Sequence, residues 1–587
     1  MARRPGCVLV LSLIAIACLV SFAALVTLSV IVGREPSVSP RSTLVMRLSG
    51  DLAEGGPGDP LTSLLPTRRP PSVDAVVENL RKAKVDTRIA SVLLLPSGFG
   101  TPYWAKLQEV RDAIYDFRRS GKPIYAHLEF GGQSEYFLAT ACDRVYLVPS
   151  SSLDLTGLAS YEVFLRGTLD KIGAYPDMIH IGDYKTASNQ LTEKTMTPAH
   201  REMAESLNTD AFDQMIRAIA DGRKRSEADV RALVDKGPFL AEDAKAAGLV
   251  DAVGYEDEVR DILKAGRAAA RQMDLADYMR ISAQSLGLNK GPRIAVIFAS
   301  GAIVSGTSGY DPLNGPAVGS ETLIDSIRKV RNDSRVKAII LRIDSPGGSA
   351  VASDVIWREL MLARSDKAGK PLVVSMSDLA ASGGYYIAVA APTIVAEPGT
   401  LTGSIGIYGG KLVTGGTYGK LGMTIESVSK GRYAELNSPV RPFNEDERAK
   451  IEQQLRAFYD LFLKRVAESR HMTAERVDQV GQGRVWTGRQ AKEIGLVDEL
   501  GGLDRAVALA KQRAKIAPDA EVEVVVYPPR RTLYDWVTSQ MGASDQAARL
   551  LSLVGFADPR AAGAAMTPLT LFRRGEVLAL MPYVFVR

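Results

Sequence analysis

The sequence predicts an α/β protein built as a tandem duplication of one unit with mainly parallel sheets, behind a single N-terminal transmembrane helix. Three observations support this prediction. The chain of 587 residues repeats its own motifs at an offset of about 250 residues. Each copy alternates short strands rich in valine and isoleucine with amphipathic helices, which is typical of parallel sheets. The third observation is an uncharged stretch at residues 7–32.

The duplication is visible as matched segments that keep the same order in both halves. Each half opens on an apolar strand that ends in small residues, and each closes on a GLVD motif. The matched pairs are LVMRLSGDLAEGG (44–56) with IAVIFASGAIVSG (294–306), GKPIYAHLEF (121–130) with GKPLVVSMSD (369–378), YFLATACDRVYLVP (136–149) with YYIAVAAPTIVAEP (385–398), and AEDAKAAGLVDAVG (241–254) with GRQAKEIGLVDELG (488–501). Because strand ends followed by glycine loops place ligands at the carboxyl edge of such sheets, we expect a site there.

Residues 7–32 exceed the roughly 20 apolar residues that a membrane helix needs. Arg3 and Arg4 precede them, so the positive-inside rule keeps residues 1–6 in the cytoplasm and sends the rest outside. A cleaved signal peptide and a lipid attached at Cys18 are the alternatives. Beyond the anchor, the expected units are a first copy over 33–290, a second copy over 291–515 and an extension over 516–587.

The C-terminal extension contains two short apolar segments and has no recognisable repeat partner. EVEVVVYPP (521–529) predicts one further strand. ALMPYVFV (579–586) is too short to span a membrane and predicts an edge strand or a contact between subunits.

The composition excludes several classes of function. Hydrophobic residues make up 46% of the chain and charged residues 24%, as in folded globular proteins. The net charge of +5 comes from 72 basic and 67 acidic residues without a long basic block, so we expect no nucleic-acid partner. Cys7, Cys18 and Cys142 form no zinc-binding or disulfide pattern. We therefore expect neither a metal nor another cofactor.

A serine in the segment SDLAASGGYYIAVAA (377–391) is the first candidate for chemistry. Ser382 precedes two glycines and an apolar helix pattern, so it is either an N-cap or a nucleophile at a helix N-terminus. Its counterpart in the first copy is near Gly132, where the serine–glycine–glycine order is lost. The loop IDSPGG (343–348) is likewise reduced to PSGFG (96–100). The sequence predicts that only the second copy keeps a catalytic backbone.

The first copy is predicted to supply the base for this serine. MIHIGDYKTASN (178–189) aligns with ESVSKGRYAELN (426–437), so that Lys185 faces Tyr433. A serine hydroxyl needs an adjacent base, and lysine can serve if burial lowers its pKa from about 10.4 toward neutrality. One copy then contributes the serine and the other the lysine of a composite site. A surface lysine on a loop is the alternative.

Histidine is a second possible base, and the chain has four: His127, His180, His200 and His471. None of them lies within the glycine-rich loops around Ser382. His180 is the only plausible member of a Ser-His triad.

Two backbone N–H groups are needed to stabilise the oxyanion of acyl transfer. The N–H of Gly383, directly after the candidate nucleophile, is the natural first donor. Gly348, at the end of IDSPGG, is the candidate for the second. An ordinary turn is the alternative for this loop, because Pro-Gly commonly marks one.

Four motifs together resemble those of the long form of signal peptide peptidase A: IDSPGG, ASGGYYIA and LTGSIG in the second copy, with GDYKTAS in the first. The resemblance implies a tandem repeat of the Clp-protease/crotonase-like unit. It also implies Ser382 as the nucleophile, Lys185 as the general base, and Gly348 and Gly383 as the oxyanion donors. Ser404, in LTGSIG, would orient the lysine amine, although a plain turn serine is equally compatible with its position.

The resemblance further implies a serine endopeptidase anchored in the bacterial inner membrane, with its catalytic part on the periplasmic side. Its expected substrates are cleaved signal peptides and other hydrophobic unfolded peptides, and its expected assembly is a homotetramer. A crotonase-like acyl-CoA enzyme and a catalytically inactive, membrane-anchored scaffold are the alternatives from other classes. An anchor that places the site outside the cytoplasm disfavours the first, because coenzyme A esters are cytosolic.

Overall fold

The computed structural model describes residues 35–54, 71–100, 103–264, 271–311, 315–365, 369–528, 576–582 and 585–586. The predicted anchor at 7–32 and the predicted cytoplasmic residues 1–6 lie outside these ranges. Within them, no helix combines the length and the apolar content needed to cross a membrane.

The first copy forms a six-stranded, fully parallel sheet in the order β10-β1-β2-β3-β4-β9. Its central strands are apolar on both faces, as expected for a parallel sheet covered by helices. The strands up to residue 274 are β1 (Ser42–Ser49), β2 (Ile89–Ser97), β3 (Ile124–Leu128), β4 (Arg144–Leu147), β5 (Ser152–Leu153), β6 (Ser160–Tyr161), β7 (Tyr175–Ile181), β8 (Phe239–Leu240), β9 (Ala252–Val253) and β10 (Gln272–Asp274).

The second copy repeats this sheet. Its strands up to residue 527 are β11 (Arg293–Ser300), β12 (Ala302–Val304), β13 (Gly309–Asp311), β14 (Gly315–Gly319), β15 (Val336–Ser345), β16 (Gly347–Ser349), β17 (Leu372–Ala381), β18 (Ile394–Ala396), β19 (Leu401–Gly403), β20 (Ile407–Val413), β21 (Val485–Thr487), β22 (Glu499–Leu500) and β23 (Glu523–Tyr527). The main path runs β21-β19-β17-β15-β11-β23. β18 pairs with β17, β22 pairs with β18, and only the β19–β21 pair is antiparallel. The predicted α/β tandem duplication with mainly parallel sheets is confirmed.

The strand predicted at EVEVVVYPP is present as β23, and it does have a structural counterpart. β23 pairs in parallel with β11, as β10 pairs in parallel with β1. The second sheet therefore extends past residue 515 into the C-terminal extension. The predicted boundaries of the remaining units stay predictions.

A third, mixed sheet joins the two copies in the order β13-β14-β12-β16-β24-β20-β7. β7 comes from the first copy, and β24 (Leu578–Leu580) comes from the extension, where β25 (Phe585–Val586) also pairs with β6. The prediction of an edge strand near residue 579 is wrong for β24, which lies inside the sheet between β16 and β20. Leu578 and Leu580 are each only 5% exposed. Residues of a strand at an open sheet edge would be more exposed, so burial explains the inner position of β24.

The helices cover the faces of these sheets. Several begin with a side-chain cap, such as the long helix that starts after Asn444 with a capping box formed with Glu447. The α-helices are Val73–Val85, Ala105–Arg118, Gln133–Ala139, Arg166–Ile172, Asn189–Thr192, Pro198–Arg223, Glu227–Val234, Ala241–Ala246, Glu256–Lys264, Leu275–Tyr278, Ser320–Asn332, Ala350–Ser365, Gly383–Ala388, Gly415–Lys420, Glu445–Arg470, Ala474–Val480, Gly488–Glu493 and Leu503–Arg513, and the 3-10 helices are Thr186–Ser188 and Gln284–Leu286.

Each copy has its own apolar core, and buried ion pairs connect the copies. Arg342 of β15 is fully buried and bonds to Glu54 at 2.9 Å and to Glu109 at 2.5 Å, both from the first copy. In the opposite sense, Lys106 of the first copy lies 2.7 Å from Asp344 of the second. Paired charges of this kind hold the carboxyl edge of the second sheet against the first copy.

Candidate active site

Ser382 lies at the junction between β17 and the helix Gly383–Ala388, at the carboxyl edge of the second parallel sheet. Its backbone holds φ 54° and ψ −112°, a conformation that is costly for a residue with a Cβ. The backbone N–H of Ser382 donates to the carbonyl of Gly403 at 2.8 Å, which helps to hold the turn. Because its side chain makes no capping hydrogen bond, the N-cap interpretation does not account for this hydroxyl.

The structure brings Lys185 of the first copy to this serine. Its Nζ lies 2.7 Å from Oγ of Ser382, although the two residues are 197 positions apart in the chain. The same nitrogen donates to Oγ of Ser404 at 2.9 Å and to the carbonyl of Ser404 at 3.1 Å. Lys185 is 0% exposed, so the surface-lysine alternative is wrong.

Burial lowers the pKa of the Lys185 amine well below its usual value. The cause is desolvation, which penalises the charged ammonium. The neutral form of the amine is therefore favoured relative to that of an exposed lysine, and a neutral amine can accept a proton from a neighbouring hydroxyl.

Two glycines that the sequence analysis missed set the position of this lysine. Gly483 has φ +80°, and a Cβ there would lie 2.4 Å from the backbone nitrogen of Lys185. A Cβ on Gly406 would lie 3.1 Å from Cδ of the same lysine. Only residues without a side chain allow both approaches. Gly406 belongs to the motif LTGSIG, but Gly483 offers no signal in one sequence beyond its place in GQGR.

Gly348 and Gly383 lie next to each other beside Ser382. A Cβ on Gly383 would lie 3.1 Å from the backbone nitrogen of Gly348. Gly347 and Gly348 have φ +100° and +154°, so this loop requires glycine and is not an ordinary Pro-Gly turn. Their arrangement brings two candidate oxyanion donors to one side of the serine.

Ser404 also has a left-handed backbone, with φ 50°, and its N–H donates to the carbonyl of Arg484 at 2.8 Å. Because both its hydroxyl and its carbonyl contact the lysine amine, Ser404 does more than close a turn. The same amine also contacts Oγ of Ser382, so the contacts are compatible with the predicted orienting role of Ser404.

The histidines have other contacts within the described part of the chain, and none of them bonds to Ser382. Nδ1 of His180 lies 3.0 Å from the carbonyl of Gly182, and Nε2 of His200 lies 2.6 Å from Glu162. His127 lies against the carbonyl of Gly254, and His471 ends the helix Glu445–Arg470. The geometry therefore offers no Ser-His pair.

Apolar side chains from both copies surround the turn. Ala380 and Ala381 are buried and Leu379 is half-buried, in agreement with a small and apolar wall beside Ser382. One buried cluster combines Met203, Leu207, Ala381, Leu401, Val485 and Met581. Tyr433, the residue that matches Lys185 in the repeat, is 37% exposed in a segment without helix or strand.

In the described ranges, no group of three or more histidine, cysteine, aspartate or glutamate side chains is arranged to hold a metal ion.

Known proteins resemble this chain over most of its length. "Serine protease SPPA, chloroplastic" from Arabidopsis thaliana is 39% identical over 482 residues, which is 81% of this chain and 70% of that protein. "Protease 4" from Salmonella typhi is 34% identical and covers 80% of this chain and 76% of that protein. "Protease 4" from Haemophilus influenzae is 30% identical and covers 84% and 82%.

A solved structure of a ClpP1 mutant from Listeria monocytogenes is 15% identical and covers 36% of this chain and 94% of its own, with a TM-score of 0.24. A match at that level carries no argument here, and the Clp-protease/crotonase-like assignment stays a prediction. The domain profile of peptidase family S49, in contrast, matches residues 116–270 and again residues 364–517, more than half of the chain. With two S49 domains and relatives named SPPA and Protease 4, the chain belongs to peptidase family S49, in the long form of signal peptide peptidase A.

Proposed function

We propose that this serine peptidase of family S49 cleaves peptide bonds by means of a Ser382–Lys185 dyad. The observation that carries the proposal is the 2.7 Å contact between Oγ of Ser382 and Nζ of Lys185. Burial lowers the pKa of this lysine, so its amine loses the proton at a lower pH than that of a solvent-exposed lysine. A neutral amine in contact with the hydroxyl is the base that a serine nucleophile needs.

The proposed reaction is acyl transfer through a covalent intermediate. Oγ of Ser382 attacks the peptide carbonyl carbon while its proton moves to Nζ of Lys185, and the N–H groups of Gly348 and Gly383 stabilise the oxyanion. The ammonium then gives this proton to the leaving nitrogen, and the C–N bond breaks. Water attacks the resulting ester with Lys185 again as the base, which releases Ser382.

The proposed substrates are cleaved signal peptides and other hydrophobic unfolded peptides. The apolar cluster beside Ser382, which includes Leu401 and Val485, supports this choice because it would desolvate apolar side chains and exclude charged ones. The names of the relatives, which are proteases, support a peptide substrate in general. We expect cleavage to favour peptides rich in leucine and alanine over peptides with lysine or arginine before the scissile bond.

We further propose that residues 7–32 anchor the chain in the bacterial inner membrane, with the catalytic part in the periplasm, and that four copies assemble. The uncharged stretch behind Arg3 and Arg4 supports the anchor and its orientation. Protease protection in spheroplasts would test the orientation, and light scattering of the purified protein in detergent would test the tetramer.

The central test is the reaction of Ser382 with a fluorophosphonate probe, together with hydrolysis of a leucine- and alanine-rich peptide. The wild type should be labelled once per chain and should cleave the peptide. Ser382→Ala should lose both properties while its circular dichroism spectrum and melting temperature stay close to those of the wild type. Ser334→Ala, which changes an exposed serine of the same copy, is the matched control and should behave as the wild type.

Two other outcomes would replace this proposal. A wild type that is neither labelled nor active would favour the inactive scaffold. Tight binding of a coenzyme A ester by a protein that does not hydrolyse peptides would favour the acyl-CoA enzyme.

A further inference from the structure

Lys106 of the first copy contacts both of the second copy's segments that build the candidate site. Its Nζ lies 2.7 Å from Oδ2 of Asp344 and 3.2 Å from Oδ2 of Asp378. Asp344 belongs to IDSPGG, the loop that ends at Gly348, and Asp378 lies on the strand that leads to Ser382. One ammonium from the first copy therefore bridges the candidate oxyanion loop and the nucleophile strand.

Backbone hydrogen bonds complete the contacts of these two aspartates. The backbone N–H of Lys106 donates to Oδ1 of Asp378 at 3.0 Å, in the first turn of the helix Ala105–Arg118. A carboxylate is favoured there, because the free N–H groups of a helix N-terminus carry a partial positive charge. The N–H of Leu379 donates to Oδ1 of Asp344 at 3.2 Å. Each aspartate thus uses one oxygen for a backbone N–H and the other for the ammonium.

The strand that carries Ser382 is irregular at this point. Between two successive pairs of the β15–β17 ladder, β15 has one residue, Asp344, whereas β17 has the three residues 377–379. Extra residues of this kind form a β-bulge, which bends the strand and redirects the side chains beside it. Asp378 and Leu379 lie inside the bulge, so the contacts with Lys106 and Asp344 hold it in place. The bulge in turn sets the path of the chain into Ser382.

Lys106 differs from Lys185 in its state of charge. Desolvation by burial disfavours its ammonium, but the two aspartates, together with Glu54, raise the pKa of Lys106 above its usual value. Burial instead lowers the pKa of Lys185. The first copy therefore brings two lysines to the second copy, one that stays charged between carboxylates and one whose neutral form is favoured.

We propose that Lys106 is a positioning residue for catalysis, which holds the oxyanion loop and the nucleophile strand in the arrangement that places Gly348 beside Ser382. The inference rests on the proposed function, because it uses the roles proposed there for these two residues. An oxyanion donor is effective only about 3 Å from the developing charge, so a small shift of one segment against the other weakens it.

The effect of Lys106 falls on the transition state. The oxyanion forms only after Ser382 has attacked, so the position of Gly348 matters little for the binding of the intact peptide. Loss of the Lys106 ammonium therefore lowers kcat and leaves KM nearly unchanged. A residue that only stabilised the fold would change the number of folded sites and not the kcat of each site.

The test measures peptide hydrolysis by Lys106→Met and by the triple variant Lys106→Met/Asp344→Asn/Asp378→Asn. Each rate is divided by the concentration of sites that the fluorophosphonate probe labels at completion. The single variant leaves two carboxylates without their cation, which can reduce stability. The triple variant removes all three charges, and its asparagine oxygens can still accept the two backbone hydrogen bonds.

In both proteins kcat should fall by about 10²-fold, with KM within about twofold of that of the wild type. A wild-type kcat in the triple variant would overturn the proposal, because it would mean that Lys106 only neutralises the two aspartates. An increase in KM that accounts for the whole loss of kcat/KM would overturn it as well.

The affinity for a peptide boronic acid provides a second readout of the same arrangement. Its tetrahedral adduct with Ser382 places an oxygen at the oxyanion site and resembles the transition state. In the triple variant this affinity should fall by about the same factor as kcat/KM. An unchanged affinity would show that the oxyanion donors have not moved, and the proposal would be wrong.

Lys84→Met is the matched control. Lys84 forms an ion pair with Asp116 at 2.8 Å, and both residues belong to the first copy. This variant should keep the wild-type kcat and boronate affinity, and a loss similar to that of Lys106→Met would contradict a specific role of Lys106. A wild type that is neither labelled nor active would instead contradict the proposed function, so the two failures are distinguishable.

Discussion

The turn after the third strand of each parallel sheet shows how the two copies have diverged. In the second copy, Ser382 holds φ 54° and ψ −112° before the helix Gly383–Ala388. In the first copy, Gly132 holds φ −66° and ψ 157°, which any residue can adopt, before the helix Gln133–Ala139. The costly conformation is kept only in the copy that has the serine, as expected if strain is retained where it serves chemistry.

The first copy has also filled the place that corresponds to the oxyanion site. Oε1 of the buried Glu135 accepts a hydrogen bond from the backbone N–H of Phe99 at 2.9 Å. Phe99 lies in PSGFG, the counterpart of the glycine loop IDSPGG. An internal carboxylate thus takes an N–H that an active copy would offer to a substrate. The first copy thus keeps the parallel sheet, with a buried carboxylate at the place that matches the proposed oxyanion site.

A reciprocal loss is found farther along the second copy. The first copy forms β7 and places Lys185 shortly after it, in a turn that enters the other copy's site. The matching residues 422–444 contain no helix or strand, and Tyr433 among them contacts solvent. Each copy lacks a part that the other supplies, so the single composite site depends on both.

The largest expected effect is the loss of the base that joins the copies. Lys185→Arg should lower kcat/KM by at least about 10³-fold, nearly as much as Lys185→Ala, because arginine keeps its proton at any accessible pH. Lys171→Arg, at an exposed lysine of the same copy, is the matched control. Peptide hydrolysis under single-turnover conditions measures the effect, and substantial activity in Lys185→Arg would contradict the dyad.

Mixed subunits test whether the composite site is built within one chain. The structure takes both groups from one chain, so Ser382→Ala and Lys185→Ala proteins that exchange subunits should remain inactive. Recovery of activity in the mixture would mean that the pair forms between subunits.

A smaller loss is expected when the approach of the two copies is obstructed without replacing Ser382 or Lys185. A Cβ on Gly483 would lie 2.4 Å from the backbone nitrogen of Lys185. Gly483→Ala should therefore displace the amine and reduce kcat by about 10²-fold. Gly419→Ala, where a Cβ would meet nothing within 4 Å, is the control. A wild-type kcat in Gly483→Ala would show that the position of the lysine tolerates this shift.

The pH dependence should report the lysine directly. Its folded-state pKa is lowered by burial, so kcat/KM should rise about tenfold per pH unit until the amine is deprotonated and then level off. Between that pKa and the unfolded value of about 10.4, the unfolded chain binds the extra proton, so stability should increase with pH. Lys185→Met should lose this part of the slope in urea titrations at several pH values. An identical slope in the variant would argue against a neutral buried lysine.

The smallest effect is expected at the residue that orients the amine. Ser404→Ala removes one of two contacts from that residue and leaves its carbonyl in place, so kcat should fall by about tenfold with KM nearly unchanged. The acidic limb of the pH–rate profile should shift as well, because the lost hydroxyl contacts the titrating group. If Ser404→Ala lowers the stability but leaves the pH–rate profile unchanged, Ser404 has only a structural role in the turn.

Much of the fold and the central pair of the site could be predicted from one sequence, because the two copies within the chain can be compared with each other. The matched motifs indicated alternating strands and helices with mainly parallel sheets in both copies, and the residues that differ between copies pointed to Ser382 and Lys185. Gly348 and Gly383 followed from the chemistry that a serine nucleophile requires. The comparison of the two copies was informative for the alternation of strands and helices and for the pair Ser382 and Lys185, which the structure places 2.7 Å apart.

The parts that escaped prediction depend on contacts between segments that are distant in the chain. Gly483 matters because it contacts the backbone of Lys185. The pattern of apolar and polar residues in the sequence does not indicate such a contact. β24 looked like an edge strand because its pairing partners, β16 and β20, lie more than 160 residues earlier. The third sheet combines strands from the first copy, the second copy and the C-terminal extension, so its order could not be inferred from the repeat.

The buried ion pairs between the copies affect whether either copy could exist without the other. Arg342 is enclosed by Glu54 and Glu109, and Lys106 by Asp344 and Asp378, so each copy holds charges that only the other neutralises. A copy released from its partner would have to hydrate these groups or leave them uncompensated, at a cost of several kcal/mol for each broken pair. Burial of opposite charges between the fused copies therefore makes their later separation energetically unfavourable. Deletion of one copy would leave the other with buried charges that have no partner, so neither copy is expected to be stable alone.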